Sequence, residues 1–190
     1  MYKRQKLQHL KSWGLLVEKK ELLPLPPQQF VNLNNLFPTF FYIGFLRPAP
    51  GTWGSLAGII SAYFLLGLTN FSTFCFLLIL TIIFGFQTTK RYLENNPEKS
   101  DPSEVVIDEV IGQWITILPL VYAFNFVQTD NENLWIVWIW AFFSFRFFDI
   151  IKLGLVRWAD SLKGALGVIL DDIFAGISAS LTVIVLLLVI

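Results

Sequence analysis

The sequence predicts an all-α fold, a polytopic membrane helical bundle with about four to five transmembrane helices. Of the 190 residues, 55% are hydrophobic and only 15% are charged, a composition too apolar for an ordinary soluble domain. The apolar residues fall in long runs, several of them close to the roughly 17–25 residues that cross a bilayer. Polar connections separate these runs and carry most of the charge. We therefore expect an integral membrane protein.

Residues 1–36 are the most polar part of the chain. Their basic side chains are Lys3, Arg4, Lys6, Lys11, Lys19 and Lys20. We predict a cytoplasmic tail or a short interfacial helix lying on anionic lipid. No apolar core with a small-residue cleavage site follows, so no signal peptide is predicted. Residues 37–190 are predicted to form one membrane domain.

A short apolar segment opens the membrane domain. Residues 38–46 are too few to cross a bilayer, so we predict a re-entrant or interfacial element there. Residues 47–55 follow, and two prolines and a glycine lie close together near their start, Pro48, Pro50 and Gly51. We expect this second segment to be a structured loop, because proline interrupts a continuous helix.

Longer apolar runs fill the rest of the chain. The predicted spans are residues 55–68, 71–87, 105–126, 134–151 and 166–190. The first is short, at about 14 residues against the usual 17 or more. The third contains Pro119 late in its length.

The positions of the basic residues orient these spans. With the N-terminus inside the cell, five crossings place all 14 Lys and Arg residues on the cytoplasmic side. If residues 55–68 re-entered instead of crossing, the parity of the crossings would change and this agreement would be lost. We therefore prefer five crossings.

Acidic residues lie where this topology brings helix ends together. Asp108 and Glu109 begin the third span, Asp149 ends the fourth, and Asp171 and Asp172 lie near the start of the fifth. All five should share one membrane face and a narrow range of depth. A carboxylate in hydrocarbon costs several kcal/mol unless it has a partner, so paired acids at this depth indicate a metal or catalytic site.

Simpler explanations exist for each pair. Acids at a helix N-terminus are favoured by the macrodipole, which accounts for Asp108 and Glu109 in a soluble helix. Arg146 or Lys152 can neutralise one of the later aspartates by forming an ion pair. However, Glu109, Gln113 and Thr116 fall within about 60° on a helix, a polar strip that must face protein or water.

Basic and hydroxyl side chains accompany the acids. Arg146, Asp149 and Lys152 recur at i, i+3 and i+6, either as a surface ladder of ion pairs or as cations that bind an anion. Thr52 and Ser55 lie in the Pro-Gly-Thr-Trp-Gly-Ser segment, which offers hydroxyls and a helix start to an anion. A turn capped by Ser55 explains the same segment.

The residue types that are missing narrow the chemistry. The only histidine is His9 in the tail, and the single cysteine, Cys75, lies in an apolar run. What remains is carboxylates, a hard divalent cation such as Mg²⁺, and Arg, Lys and hydroxyl donors, a set that suits phosphoryl chemistry on a lipid headgroup. The alternative is a small cation or proton-coupled transporter, which predicts acids spread through the full membrane depth.

Several motifs occur together and in a fixed order. They are Ala49-Pro50-Gly51-Thr52-Trp53-Gly54-Ser55, Asp101-Pro102-Ser103, Val106-Ile107-Asp108-Glu109-Val110-Ile111-Gly112, Phe145-Arg146-Phe147-Phe148-Asp149, Arg157-Trp158 and Gly167-Val168-Ile169-Leu170-Asp171-Asp172. Over residues 47–180 the chain resembles the phosphatidylglycerophosphatase A family. It departs from the family pattern after Lys152, where Leu153-Gly154-Leu155 replaces prolines, and at Lys163-Gly164-Ala165, which replaces His-Gly-Gly.

The resemblance implies a Mg²⁺-dependent membrane phosphatase that converts phosphatidylglycerophosphate to phosphatidylglycerol in bacterial phospholipid biosynthesis. It implies an active site on the cytoplasmic face of the inner membrane and an anionic phospholipid substrate, with no nucleic acid; the oligomeric state is not specified. The expected catalytic and metal-binding residues are Asp108, Glu109, Asp149, Asp171 and Asp172. The expected phosphate-binding residues are Arg47, Thr52, Ser55, Arg146 and Lys152. Direct attack by water and an aspartyl-phosphate intermediate both remain open.

Overall fold

A computed structural model describes residues 33–99, 101–127 and 134–190. Within these ranges the protein is all-helical, with eight α-helices and one short 3₁₀ helix, which confirms the predicted fold class. The α-helices are α1 (Leu33–Leu36), α2 (Pro50–Leu68), α3 (Phe71–Asn95), α4 (Ile107–Thr116), α5 (Leu118–Phe126), α6 (Leu134–Ile151), α7 (Leu155–Asp160) and α8 (Ala165–Val189). The 3₁₀ helix is Ile43–Phe45. The predicted tail, apart from its last residues, lies outside the described ranges.

Four helices, α2, α3, α6 and α8, are long and apolar enough to cross a membrane, and the bent pair α4–α5 adds a fifth if it is one span. Many of their large apolar side chains, such as Leu68 and Leu188, are exposed on the outside of the bundle. An exposed apolar surface of this kind suits contact with lipid.

Helix α2 begins earlier than the sequence predicts. It starts at Pro50 and has 19 residues, so the expectation that residues 47–55 form a loop is wrong from Pro50 onward. Proline is tolerated at the first helical position because its missing N–H has no intrahelical acceptor there and its φ already suits the helix. Ser55 therefore does not cap the helix; its hydroxyl donates to the Gly51 carbonyl one turn earlier, at 2.8 Å.

The α4–α5 pair forms one broken span with a bend of 42°. Pro119 lies in the first turn of α5, where it is compatible with a new helix but not with a continuous one. Near the end of α5, the Asn125 side-chain oxygen accepts a hydrogen bond from the Phe71 N–H at the start of α3, at 3.2 Å. At the other end of α3, Leu93 lines the same polar cavity as the start of α4. The α4–α5 pair therefore runs from one end of α3 to the other and crosses the whole bundle.

Consecutive spans run in alternating directions. The starts of α2, α4 and α8 and the ends of α3 and α6 meet around one cavity, represented by Gly51, Asp108, Asp171, Leu93 and Asp149. This arrangement agrees with the preference for five crossings. It also places the described Lys and Arg residues in or beside the segments at the cavity end of the bundle.

Helix α8 packs against five of the other helices, α3 to α7, and lies closest to α4. At this crossing, a Cβ added to Gly176 would lie 2.6 Å from the Gly112 carbonyl oxygen, and one added to Gly112 would lie 2.9 Å from the Asp172 carbonyl oxygen. Only glycine allows the two backbones to approach so closely. The crossing lies next to Asp172 and one turn from Asp108, so it sets the separation of the acids.

The segment predicted as re-entrant or interfacial is a series of turns around the 3₁₀ helix, packed on the chain before α4. The Pro38 carbonyl accepts hydrogen bonds from Val106 N–H at 2.9 Å and Ile107 N–H at 3.1 Å. A Cβ on Gly44 would lie only 1.9 Å from the Glu104 carbonyl oxygen. The segment thus holds the start of α4 in position.

Candidate active site

A polar cavity of about 790 Å³ opens at the end of the bundle where the five spans meet. Its wall includes all five acids predicted from the sequence. They are Asp108, Glu109, Asp149, Asp171 and Asp172. Carboxylates up to 64 residues apart along the chain, Asp108 and Asp172, therefore share one cavity.

Three of these acids form a tighter group. Asp108, Glu109 and Asp172 each offer a carboxylate oxygen, and these oxygens all lie within 4.8 Å of one another. Asp108 and Glu109 come from the first turn of α4, and Asp172 comes from the second turn of α8. The group thus joins two helices, whereas the sequence predicts that acids from three helices meet. Asp149, from the third helix, lines the same cavity but is not in the group.

The acidic pairs share a local geometry. Asp108 Oδ1 accepts a hydrogen bond from the Glu109 N–H at 3.1 Å, and Asp171 Oδ1 accepts one from the Asp172 N–H at 3.1 Å. In each pair this bond orients the first aspartate; Asp108 nevertheless belongs to the group of three, whereas Asp171 does not. The Glu109 side chain has a buried Oε2 with no hydrogen-bond partner among the described residues. An unpartnered buried carboxylate oxygen is costly unless a cation or water binds it.

Asp149 is held by Arg146 one turn earlier on α6. The two side chains form an ion pair, and Arg146 Nη1 also approaches the Ser55 hydroxyl at 3.4 Å. The Arg146 guanidinium therefore connects α6 to the first turns of α2. Of the two ion pairs that the i, i+3, i+6 pattern allowed for Asp149, the structure forms the one with Arg146.

Lys152 binds acids of two helices, α7 and α8. Its ammonium lies 2.9 Å from Asp171 Oδ2 and also bonds to Asp160 on α7. Burial alone would lower the pKa of Lys152, but the bonds to the two aspartates raise it above its usual value, so the ammonium stays charged. An ion pair with Lys152, one of the simpler explanations for Asp171, is thus present, and Asp171 itself lines the cavity.

Asp160 is a cavity residue that is not among the predicted site residues. It lies at the end of helix α7 and lines the cavity. Gly154, with φ +55°, reverses the chain after Lys152 and brings Asp160 back to it. Sequence spacing carries no signal for such a turn beyond the glycine itself.

Two predicted phosphate-binding residues lie away from the acids. Arg47 is exposed and donates to the Ser103 hydroxyl at the cavity rim, at 3.1 Å. Thr52 is exposed and is not part of the cavity wall. Thr52 lies in α2, and Arg47 lies in the turn before it. Because α2 begins at Pro50, Thr52 is already helical and lies on the outer side of the helix.

Glu104, the residue after Ser103, holds the same rim. This buried carboxylate accepts a hydrogen bond from the Tyr92 hydroxyl at 2.8 Å and forms an ion pair with Lys99. Burial opposes ionisation of Glu104, but the bonds from Lys99 and Tyr92 outweigh it and hold its pKa below the usual value. Lys99 and Lys163 line the cavity together with Asp101 and Asp160, so its wall carries basic as well as acidic side chains.

The fold and this cavity define a class of protein, polytopic helical membrane proteins with a carboxylate group and flanking cations at one end of the bundle. The acids gather at that end and do not spread along the spans, which is the reverse of what a transport pathway requires. The family model for phosphatidylglycerophosphatase A matches residues 36–187, and the chain belongs to this family. It is therefore a membrane phosphatase, as the resemblance predicts.

Individual relatives carry two kinds of name. Phosphatidylglycerophosphatase A of Haemophilus influenzae is 32% identical over 162 residues, which cover 84% of this chain and 92% of the relative. Phosphatidylglycerophosphatase A of Escherichia coli is 30% identical over 148 residues, 75% of this chain and 77% of the relative. A candidate phosphatidylinositol-3-phosphatase of Bacteroides thetaiotaomicron is 38% identical over 145 residues, 75% of this chain and 86% of the relative. No solved structure matches the chain.

Proposed function

We propose that the protein is a Mg²⁺-dependent phosphatase that hydrolyses phosphatidylglycerophosphate to phosphatidylglycerol and phosphate in bacterial phospholipid biosynthesis. The observation that carries the proposal is the group of three carboxylate oxygens within 4.8 Å at the polar cavity, with Arg146 and Lys152 paired to the neighbouring cavity acids Asp149 and Asp171. The basic residues at the cavity end support an active site on the cytoplasmic face of the inner membrane.

Asp108, Glu109 and Asp172 are the residues that would hold the metal. Their donor atoms are hard oxygens, which Mg²⁺ prefers, and the unpartnered Oε2 of Glu109 leaves an acceptor available. When bound, Mg²⁺ supplies Lewis-acid stabilisation of charge on the phosphoryl group. Asp149 and Asp171, also predicted as ligands, are occupied by cations, so in this proposal they belong to the substrate-binding half of the site.

Arg146 and Lys152 are the residues that would hold the substrate phosphate. A phosphate monoester carries about −1.5 to −2 charges near neutral pH, and a guanidinium binds its oxygens in a planar fork. Asp149 orients the Arg146 guanidinium, and Asp160 and Asp171 orient the Lys152 ammonium. Ser55 lies within reach of Arg146 and supplies a hydroxyl to the same region.

The chemistry that this arrangement supports is in-line attack of water on phosphorus. The new bond joins the water oxygen to phosphorus, the bond from phosphorus to the headgroup oxygen breaks, and the headgroup leaves as an alcohol after taking a proton. The stereochemistry at phosphorus tests this route: a substrate with an isotopically chiral thiophosphate should release inorganic thiophosphate with inversion. Retention, from two successive in-line displacements, would indicate an aspartyl-phosphate intermediate instead.

A second substrate is a phosphatidylinositol phosphate. The relative from Bacteroides thetaiotaomicron carries the name of a phosphatidylinositol-3-phosphatase and is 38% identical to this chain. Both substrates are phosphate monoesters on a lipid headgroup, so the same acids and cations would serve either one.

The test measures phosphate release in detergent micelles from each lipid, with Mg²⁺ and with chelator. We expect release from phosphatidylglycerophosphate with Mg²⁺ only, and a fall of at least about 10²-fold in kcat/KM for Asp172→Asn, since that variant removes one charge from the group. Glu94→Gln, which changes an exposed acid at the end of α3, is the matched control and should leave the rate unchanged.

A readout apart from activity accompanies this assay. Mg²⁺ should raise the Tm of the wild-type protein by mass action and raise that of Asp172→Asn much less. Equal phosphate release with Mg²⁺ and with chelator would show that the reaction needs no metal. No phosphate release from any lipid phosphate would overturn the phosphatase assignment. Faster release from phosphatidylinositol 3-phosphate would favour the second substrate.

A further inference from the structure

A second cavity lies on the outside of the bundle between α2 and α6. It is an apolar groove of about 430 Å³. Its walls include Leu56, Ile60 and Phe64 from α2 and Trp138, Ile139 and Phe143 from α6. Tyr63 bridges the groove by an edge contact with Trp138, with ring centroids 5.5 Å apart.

Arg146 lies between the groove and the polar cavity. On α6, Arg146 lies three and four residues after Phe143 and Phe142, so its stem continues the same helix face. On α2, Ser55 immediately precedes Leu56, and Arg146 Nη1 lies 3.4 Å from the Ser55 hydroxyl. Arg146 thus pairs with the cavity residue Asp149 and approaches the residue that precedes the first groove residue of α2.

We propose that this groove holds one acyl chain of the lipid whose phosphate is bound by Arg146. The proposal rests on the proposed function and adds to it a binding site for the hydrophobic part of the substrate. With the phosphate at Arg146, the glycerol backbone would pass over Gly51 and the acyl chain would run along the stripe Leu56, Ile60 and Phe64. Thr52 precedes Leu56 by four residues on this stripe, which places it beside the path of the headgroup.

The size of the groove favours an acyl chain over a helix of a second copy. The stripe from Leu56 to Phe64 is about 12 Å long at 1.5 Å per residue. A helix with a diameter of about 10 Å would fill roughly 900 Å³ over that length, about twice the groove volume. A single unbranched hydrocarbon chain is the narrower occupant, and it comes from the surrounding bilayer.

The groove would act on the reaction by positioning the lipid, not by excluding water from the acyl chain. Lipid tails are as apolar as leucine, so moving a chain from bilayer to groove brings little hydrophobic gain. A seated chain instead fixes where the headgroup lies relative to the acids. Because a displacement on the order of 1 Å at reacting atoms can lower a rate by up to 10²-fold, a blocked groove should reduce hydrolysis of long-chain lipids.

The first test fills the groove and uses a matched control. Ile60→Trp places a large ring in the groove, whereas Ile83→Trp makes the same change on the outer face of α3; Ile60 is 48% exposed and Ile83 is 47% exposed. We expect Ile60→Trp to lower kcat/KM about tenfold for a dipalmitoyl substrate and to leave a dibutyryl substrate unchanged. Ile83→Trp should change neither rate. Equal effects of Ile60→Trp on both substrates, or none on either, would contradict the proposal.

The second test needs no hydrolysis, so it separates failure of this proposal from failure of the proposed function. The probe is a phosphonate analogue of phosphatidic acid with a diazirine midway along one acyl chain, and the comparison is phosphatidylcholine with the same chain. After illumination, mass spectrometry should locate the phosphonate label on groove residues of α2 and α6. Unlabelled phosphonate lipid should compete for this labelling, and phosphatidylcholine should not.

Three results would overturn the proposal. Identical labelling by the two lipids would show ordinary bilayer contact, and labelling confined to other faces would place the chain elsewhere. Protection of the groove together with a dimer that Ile60→Trp dissociates would identify a second copy as the occupant.

Discussion

Gly51 is a residue of the cavity wall at which the site leaves no room for a side chain. A Cβ there would lie 2.5 Å from Glu109 Oε1 and 3.3 Å from Arg146 Nη1. One position on α2 therefore approaches both a proposed metal ligand and a proposed phosphate ligand. Glycine is required because the helix must come this close to the two side chains, not because of its backbone conformation.

Gly51→Ala should reduce activity more than stability. The added methyl group displaces Glu109 or Arg146, so we expect kcat/KM to fall by about 10-fold to 10²-fold. Phosphate release in micelles measures the first effect, and thermal unfolding monitored by circular dichroism measures the second.

Gly67→Ala is the control on the same helix. Among the described residues, no atom outside the neighbouring backbone of α2 lies within 4 Å of a Cβ at Gly67, and alanine raises helix propensity by about 1 kcal/mol relative to glycine. Activity should therefore be unchanged and Tm slightly higher. Full activity of Gly51→Ala would show that Glu109 and Arg146 are not positioned as proposed.

At the level of elements, the crossing of α4 and α8 determines how close the acids come. The glycine pair at this crossing, Gly112 and Gly176, lets the two backbones touch, and the Thr116 hydroxyl binds the Gly112 carbonyl at 2.8 Å and approaches the Gly176 carbonyl at 3.4 Å. A wider crossing would draw Asp172 away from Asp108. The acids thus depend on small residues that carry no chemistry themselves.

Gly176→Ala should destabilise the protein and weaken its metal binding. The new Cβ meets backbone atoms, Gly112 O at 2.6 Å and Gly112 Cα at 3.1 Å, so the helices must move apart. Overpacking of this kind typically costs about 1–3 kcal/mol in the free energy of unfolding. Unfolding in mixed micelles and the rise of Tm with Mg²⁺ measure the two effects.

Gly85→Ala on α3 is the matched comparison. Its Cβ would meet side-chain rather than backbone atoms, Ile111 Cδ1 at 3.0 Å and Ile107 Cγ1 at 3.3 Å. We expect a smaller loss of stability than for Gly176→Ala, since side chains can shift with less displacement of the helices. If both variants lost the same stability, the α4–α8 crossing would have no special role.

For the whole molecule, the alternating spans place every described connection at one of two ends. Ser161, in the segment between α7 and α8, lies at the cavity end, and Asn70, between α2 and α3, lies at the opposite end. The positive-inside rule then assigns the cavity end to the cytoplasm, because the basic residues lie there.

Cysteine labelling tests this orientation. In a Cys75→Ser background, a membrane-impermeant thiol reagent should label Asn70→Cys in intact spheroplasts and Ser161→Cys only in inverted vesicles. Retained phosphatase activity of each variant is the control for folding. Labelling of both cysteines from the same side would contradict five crossings.

The sequence by itself determined the membrane class, the spans and the residue types of the site. Long apolar runs between charged connections predict crossing helices, since hydrocarbon admits few other structures, and acids at the ends of those runs indicate a site because burying them is costly. Motif order also predicted the family. These inferences need only local composition and the solvent that surrounds each segment.

The tertiary structure alone decided which of these residues meet. It grouped Asp108, Glu109 and Asp172, assigned Asp149 and Asp171 to Arg146 and Lys152, and left Thr52 outside the cavity. These outcomes depend on the glycine crossing, the bend before Pro119 and the start of α2 at Pro50, each set by contacts between distant segments. Distances between side chains on different helices follow from packing, and one-dimensional spacing does not contain them.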